Sequence, residues 1–195
     1  MKLNIPIYNV VVDDAMTGID RISLVELPAV ESNFLAFADE KKQMMFTANE
    51  EQQMITGCLM RADFPIYRND MELGEYYIQF SKETIKIMAE KLLFDGHQNW
   101  VNIEHMPDSD VSGVDMVELY IKDTTKGLNP MGFENISDGS LFATFKVHNP
   151  LVWNCIKDGN FKGFSIEGLF GYEQAVKDED QKIFEEIMEM LNNIK

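Results

Sequence analysis

The sequence predicts a mainly β domain with some α (α+β), its strands numerous enough to close, or nearly close, into a barrel flanked by two or three helices. Three observations lead there. Short segments rich in branched and aromatic residues recur between Pro, Asp and Gly clusters. Helical periodicity with caps is confined to a few segments, so strands outnumber helices. The 195 residues, 45% apolar and 26% charged, suit one soluble globular domain with an appendage at one end.

Residues 3–12 (LNIPIYNVVV) and 19–27 (IDRISLVEL) are β-rich and separated by DDAMTG, whose turn chemistry predicts an antiparallel hairpin. From 31 to 53 the pattern degrades into a polar stretch with scattered Phe and Met, read as a mobile connection or a short helix. A second β block begins at MITGCLMRADF (54–64), passes the breaker Pro65 and IYRND, and resumes at EYYIQF (75–80). A helix follows over about 82–94, with Ser81 as N-cap, Gly96 beyond its end, and Ile85, Met88, Ala89, Leu92 and Leu93 in one stripe. Then come three strands, WVNIEH (100–105), GVDMVELYIKD (113–123) and SLFATFKVH (140–148). Asn149 and Pro150 open a short helix that Gly159 closes, and FKGFSIEGLFGYE (161–173) reads as a last strand. The tail, 173–195, carries Ile183, Phe184, Ile187, Met188, Leu191 and Ile194 at helical spacing in an acidic background. It is an amphipathic helix, either docked on the 1–172 domain or offered to a partner.

The charge excludes some partners. With 17 Lys and Arg against 33 Asp and Glu the formal charge is -16, a field that repels nucleic-acid backbones and anionic membrane surfaces alike. Cys58 and Cys155, far apart and without CxxC spacing, read as core residues in a reducing compartment. MKLNIPIYNVVVDD reaches acidic residues before an apolar stretch of signal-peptide length forms, and no run has the length of a membrane span. A cytosolic, unprocessed start is therefore expected.

Two residues stand out chemically. In WVNIEH, strand alternation puts Val101, Ile103 and His105 on one face and Asn102 and Glu104 on the other. In GFSIEG, Gly163, Ser165 and Glu167 share a face, and glycines at 163 and 168 leave room for a substrate backbone. A lone strand-end histidine is more often structural, and a strand serine more often solvated. A hydroxyl becomes a nucleophile only when a base takes its proton, so the question is whether His105 reaches Ser165. Glu167 is close in sequence to the serine, but residues two apart on one strand are spaced too widely for it to serve. His97 and His148 flank helix ends, where solvent contact or capping is the ordinary role.

The stretch 139–168, GSLFATFKVHNPLVWNCIKDGNFKGFSIEG, resembles the signature of the XkdF-like phage serine proteases, relatives of the caudoviral prohead maturation proteases. GCLMRADFPIYR (57–68) and VNIEH followed by GVDMVELYI are similar to that family's earlier strands, so the likeness covers roughly 54–170. The resemblance implies an assemblin-like β-barrel, with Ser165 as nucleophile and His105 as general base. For the third member it implies either Glu118, in the strand after His105, or Asp20. The second alternative arises because IDRISLVELPA (19–29) is similar to a segment that in prohead proteases follows the nucleophile, as though the chain were circularly permuted. There the family's acidic slot falls on Arg21, with Asp20 beside it on the opposite strand face.

The resemblance implies cleavage of capsid and scaffold precursors, and of the protease itself, inside proheads assembling in the host cytoplasm. It implies no cofactor and no metal, and allows a homo-oligomer. A rival reading is a catalytically inactive capsid-assembly or scaffold-binding module. A metal hydrolase using Glu104, His105 and Asp108 or Asp110 has little support, since no HExxH helix or Cys/His ligand set is present.

Overall fold

A computed structural model describes residues 5–12, 17–28, 47–49 and 52–175. The predicted tail helix lies outside them from residue 176 on, as does most of the 31–53 connection. In chain order the described strands are β1 (Ile7–Val11), β2 (Gly18–Val25), β3 (Thr47–Asn49), β4 (Met54–Met60), β5 (Ile66–Asp70), β6 (Gly74–Gln79), β7 (Val101–Ile103), β8 (Val114–Ile121), β9 (Leu141–Val147), β10 (Gly163–Leu169) and β11 (Gly171–Gln174). The helices are α1 (Lys82–Phe94) and α2 (Pro150–Lys157). The chain is thus mainly β with two helices among the described residues, as expected.

The described strands do not close into a barrel. Their ladders form three sheets, ordered β11-β1-β6-β5, β10-β2-β7 and β3-β4-β9-β8. β10 lies against β4, and Phe164 packs on Phe145 of β9 with ring centroids 5.1 Å apart. All three sheets and both helices feed one apolar core. It contains Val10 and Ile78, Ile22, Leu24 and Val101, Ile55 and Ala143, Met88 and Trp153.

The predicted hairpin of the first two strands does not form. β1 pairs with β11 and, in parallel, with β6, whereas β2 pairs antiparallel with β10 and parallel with β7. A turn motif fixes a reversal of the chain but not the partner. β2 is buried along most of its length, so both of its edges require neighbours. IYRND, read as a break, is strand β5 and forms the hairpin with β6. The last predicted strand is two, since Phe170 leaves the ladder to pack edge-on against Phe80 while β11 crosses to β1.

Helix α1 begins as expected, Ser81 Oγ accepting from Thr84 N at 3.0 Å, and buries Ile85, Met88, Ala89 and Leu92. Leu93, placed in the stripe by spacing, is exposed. Helix α2 is capped by Asn149, whose Oδ1 accepts from Leu151 N and Val152 N. Cys58 and Cys155 are free thiols, half-buried at the margin of the core rather than inside it. At Gly168 a Cβ would fall 1.9 Å from the carbonyl oxygen of Gly18. The room left by this glycine is therefore taken by β2, not by a substrate.

Lys122 is 1% exposed and its ammonium reaches three backbone carbonyls, Phe133 O at 2.9 Å, Ile136 O at 2.6 Å and Glu134 O at 3.3 Å. It pins the loop after β8 over Phe142. Lys122→Met strands those carbonyls and is expected to lower the unfolding free energy by about 2–4 kcal/mol. Denaturant titration checks it.

Candidate active site

The sheet β10-β2-β7 carries a polar row in an otherwise apolar setting. Its register sets Ser165 opposite Ser23, and Ser23 opposite Asn102. Facing residues on neighbouring strands point the same way, so the three side chains share a face. One step along, Glu167 stands opposite Arg21.

His105 joins this face by a route that alternation does not foresee. β7 ends at Ile103, and the next two residues have positive φ, 53° for Glu104 and 55° for His105. Met106 N closes the turn on Ile103 O at 3.0 Å. After this turn His105 Nδ1 reaches Ser23 and Glu167. Two non-glycine residues in the left-handed region cost about 1–2 kcal/mol each. Neighbouring groups hold them there: Ser109 Oγ accepts from Ile103 N and lies 2.6 Å from Met106 O, Glu104 N donates to Leu24 O, and Glu104 Oε1 accepts from Glu26 N.

His105 Nδ1 lies 3.0 Å from Glu167 Oε1 and 2.9 Å from Ser23 Oγ. The same carboxylate oxygen accepts from Asn102 Nδ2 at 2.6 Å. The Ser23 hydroxyl proton has two acceptors in reach, Glu167 Oε1 at 2.7 Å and Asn102 Oδ1 at 2.5 Å. A carboxylate beside Nδ1 calls for the tautomer with its proton there, which leaves Nε2 as the basic nitrogen. Partial burial pushes the Glu167 carboxyl up, but the hydrogen bonds from Ser23, Asn102 and His105 outweigh it and hold the group below its ordinary value of 4.5. The carboxylate is therefore charged and oriented at neutral pH.

Access runs in the opposite sense to satisfaction. Ser23 is 0% exposed and fully engaged. Ser165 Oγ has no hydrogen-bond partner among the described residues and lines a cleft of about 520 Å³ together with Glu167 and Gly168. Among the described strands β10 pairs only with β2, so its other edge borders this cleft.

Of the residues singled out from the sequence, Ser165 lies opposite Ser23 in the sheet and His105, in the turn after β7, reaches the same Ser23 through Nδ1; no hydrogen bond joins His105 to Ser165 among the described residues. The two expected carboxylates are not joined to them. Glu118 lies exposed on β8, opposite Thr144 in a different sheet, and Asp20 is exposed on the other face of β2. Neither has a hydrogen bond or ion pair to His105. The carboxylate that meets His105 is Glu167, because strand pairing carries it across β2 toward Asn102. Arg21, in the acidic slot of the resemblance, is the cross-strand partner of Glu167, so the negative group sits one strand over. Arg21 itself pairs with Asp110 at 3.0 Å and lies over Trp100, which stacks on His97. With Asp110 on Arg21 and Glu104 on Glu26 N, those carboxylates do not converge with His105 on a common point. His148 is exposed.

Ser23 and Asn102 carried a signal that sequence reasoning passed over. Each is a polar residue flanked on both sides by branched apolar ones, in ISL and VNI, and each is buried. Buried polar groups need partners, and here they are each other's.

A family model described as "Putative phage serine protease XkdF" matches residues 41–173. The matched span holds Asn102, His105, Glu118, Ser165 and Glu167, and leaves out β2 with Asp20 and Ser23. No curated protein and no solved structure matches the chain.

Proposed function

Because the chain belongs to the XkdF family of phage serine proteases, we propose that it is an endopeptidase in which Ser165 is the nucleophile, His105 the general base and Glu167 the carboxylate that positions the base. The observation carrying this reading is the 3.0 Å contact of His105 Nδ1 with Glu167 Oε1, two register positions from Ser165, a largely buried residue that lines the cleft.

The peptide carbonyl is attacked by Ser165 Oγ while Nε2 of His105 takes the hydroxyl proton. The imidazolium so formed directs its Nδ1–H at Glu167, whose charge offsets it. Collapse of the tetrahedral intermediate breaks the C–N bond, and His105 returns the proton to the leaving amine. Water, deprotonated by the same nitrogen, then releases the acyl group from Ser165. Ser23 and Asn102 act one layer down, holding Glu167 charged and in place. The cleft beside β10 supports binding of an extended substrate along this strand, which would present its carbonyl beside the nucleophile.

The substrates in this reading are capsid and scaffold precursors, and the protease itself, inside assembling proheads in the host cytoplasm. Covalent labelling by a serine-directed phosphonate tests it. Mass should be added to wild type at Ser165 and be absent in Ser165→Ala. A folded wild type that takes no label would instead favour the noncatalytic assembly module.

A further inference from the structure

The cleft beside Ser165 contains charge that the catalytic cluster does not use. Arg61, just after β4, and Arg68, on β5, both line it. Arg61 lies over the Phe64 ring, its Cζ 3.8 Å from the centroid, and its Nη1 is buried without a hydrogen-bond partner. Arg68 donates from Nη1 to its neighbour's carbonyl, Tyr67 O, at 3.0 Å. No carboxylate pairs with either among the described residues. The cleft's other charges are Arg21, Glu167 and Asp20. Arg21 is held by Asp110, Glu167 by its three donors, and Asp20 is exposed on β2. The remaining walls include Ile66, Ile78 and Phe80.

Partly burying guanidinium groups without anions is unfavourable, and none of the described carboxylates pairs with these two. Burial disfavours the charged form of both arginines. A half-buried planar cation, with a buried donor unused at Arg61 Nη1 and apolar walls around it, is arranged for bidentate capture of a carboxylate.

We propose that this cleft is the specificity pocket of the protease and that Arg61 and Arg68 select an acidic side chain, Asp or Glu, next to the scissile bond. The proposal rests on Ser165 as nucleophile. The peptide then lies along β10 with its carbonyl at Ser165 and an adjacent side chain reaching toward the arginines.

Two measurements test it. Cleavage of a proteome-derived peptide library by wild type should show Asp and Glu enriched about tenfold or more at one position flanking the cut, and Arg68→Glu should move that enrichment to Lys and Arg. Cleavage with no acidic enrichment overturns the pocket and leaves the protease reading standing. The second arm needs no turnover. Immobilised Ser165→Ala protein should retain a degenerate decapeptide pool with a fixed central Glu about tenfold over the pool with Gln. Equal retention of the two pools overturns the proposal even if Arg68→Glu fails to fold. Selective retention in a protein that takes no phosphonate supports carboxylate recognition and removes the protease reading instead.

Discussion

Alanine in place of Ser165 is expected to slow peptide cleavage by a factor on the order of 10³ to 10⁶, and His105→Ala by a similar factor. Both variants should remain folded, because Ser165 Oγ has no hydrogen bond to lose and the His105 side chain is 41% exposed. The informative contrast is Ser23→Ala. Ser23 is the hydroxyl that touches His105, yet it is inaccessible to a polypeptide and meets the ring at Nδ1, the nitrogen shared with Glu167. Losing it loosens the carboxylate without removing the nucleophile, and a loss of about 10- to 100-fold is expected, the range for groups that orient a reacting one. Rates of processing of a co-expressed capsid precursor, with circular dichroism as a check on folding, give the ranking. If Ser23→Ala were the dead variant and Ser165→Ala the active one, the nucleophile would be Ser23.

Glu167→Gln should be nearly as damaging, costing a factor on the order of 10² to 10⁴ in turnover. The amide retains the shape of the carboxylate but carries no charge to offset the imidazolium. Its amide oxygen can take over the contacts made by Oε1, so what the variant removes is the charge. Glu118→Gln and Asp20→Asn, on strand faces that do not reach His105, should leave turnover within about threefold of wild type. A second readout separates a charge effect from mere packing. The folded-state pKa of Glu167 is depressed below 4.5, so its stabilising contribution is complete above that value and disappears as pH falls through the depressed one. The stability advantage of wild type over Glu167→Gln should therefore be full near about pH 6 and fade toward about pH 3. An advantage independent of pH would mean that the carboxylate is held by shape alone.

Local rules carried the helices. Ser81 and Asn149 are caps whose oxygens meet the first free amides of α1 and α2, interactions settled within four residues. Pairing is not local, and there the reading from sequence diverges from the structure. DDAMTG predicted a turn, but the partners of β1 and β2 come from residues 74–79, 101–103 and 163–174. Asn69 and Asp70 look like turn residues, yet they end a strand whose register continues to Gly74.

The site followed the same division. The family was legible from the likeness, and the match over residues 41–173 shows it; Ser165 and His105 are the candidates which that likeness named. The side of β7 on which His105 lies was not legible, since Glu and His are poor markers of left-handed turns. Glu167 was set aside because it was measured along its own strand from Ser165. The distance that matters runs across the sheet, over Ser23 to Asn102, and becomes visible only once three strands are in register.

Ser23 and Glu167, 2.7 Å apart, are separated by 144 residues of chain. As the polypeptide leaves the ribosome, β2 and the histidine turn emerge long before β10, and the closing of so large a loop must precede any chemistry. Under the proposed mechanism a nascent chain therefore holds His105 without Ser165 or Glu167, and on that reading cutting waits until β10 has joined β2.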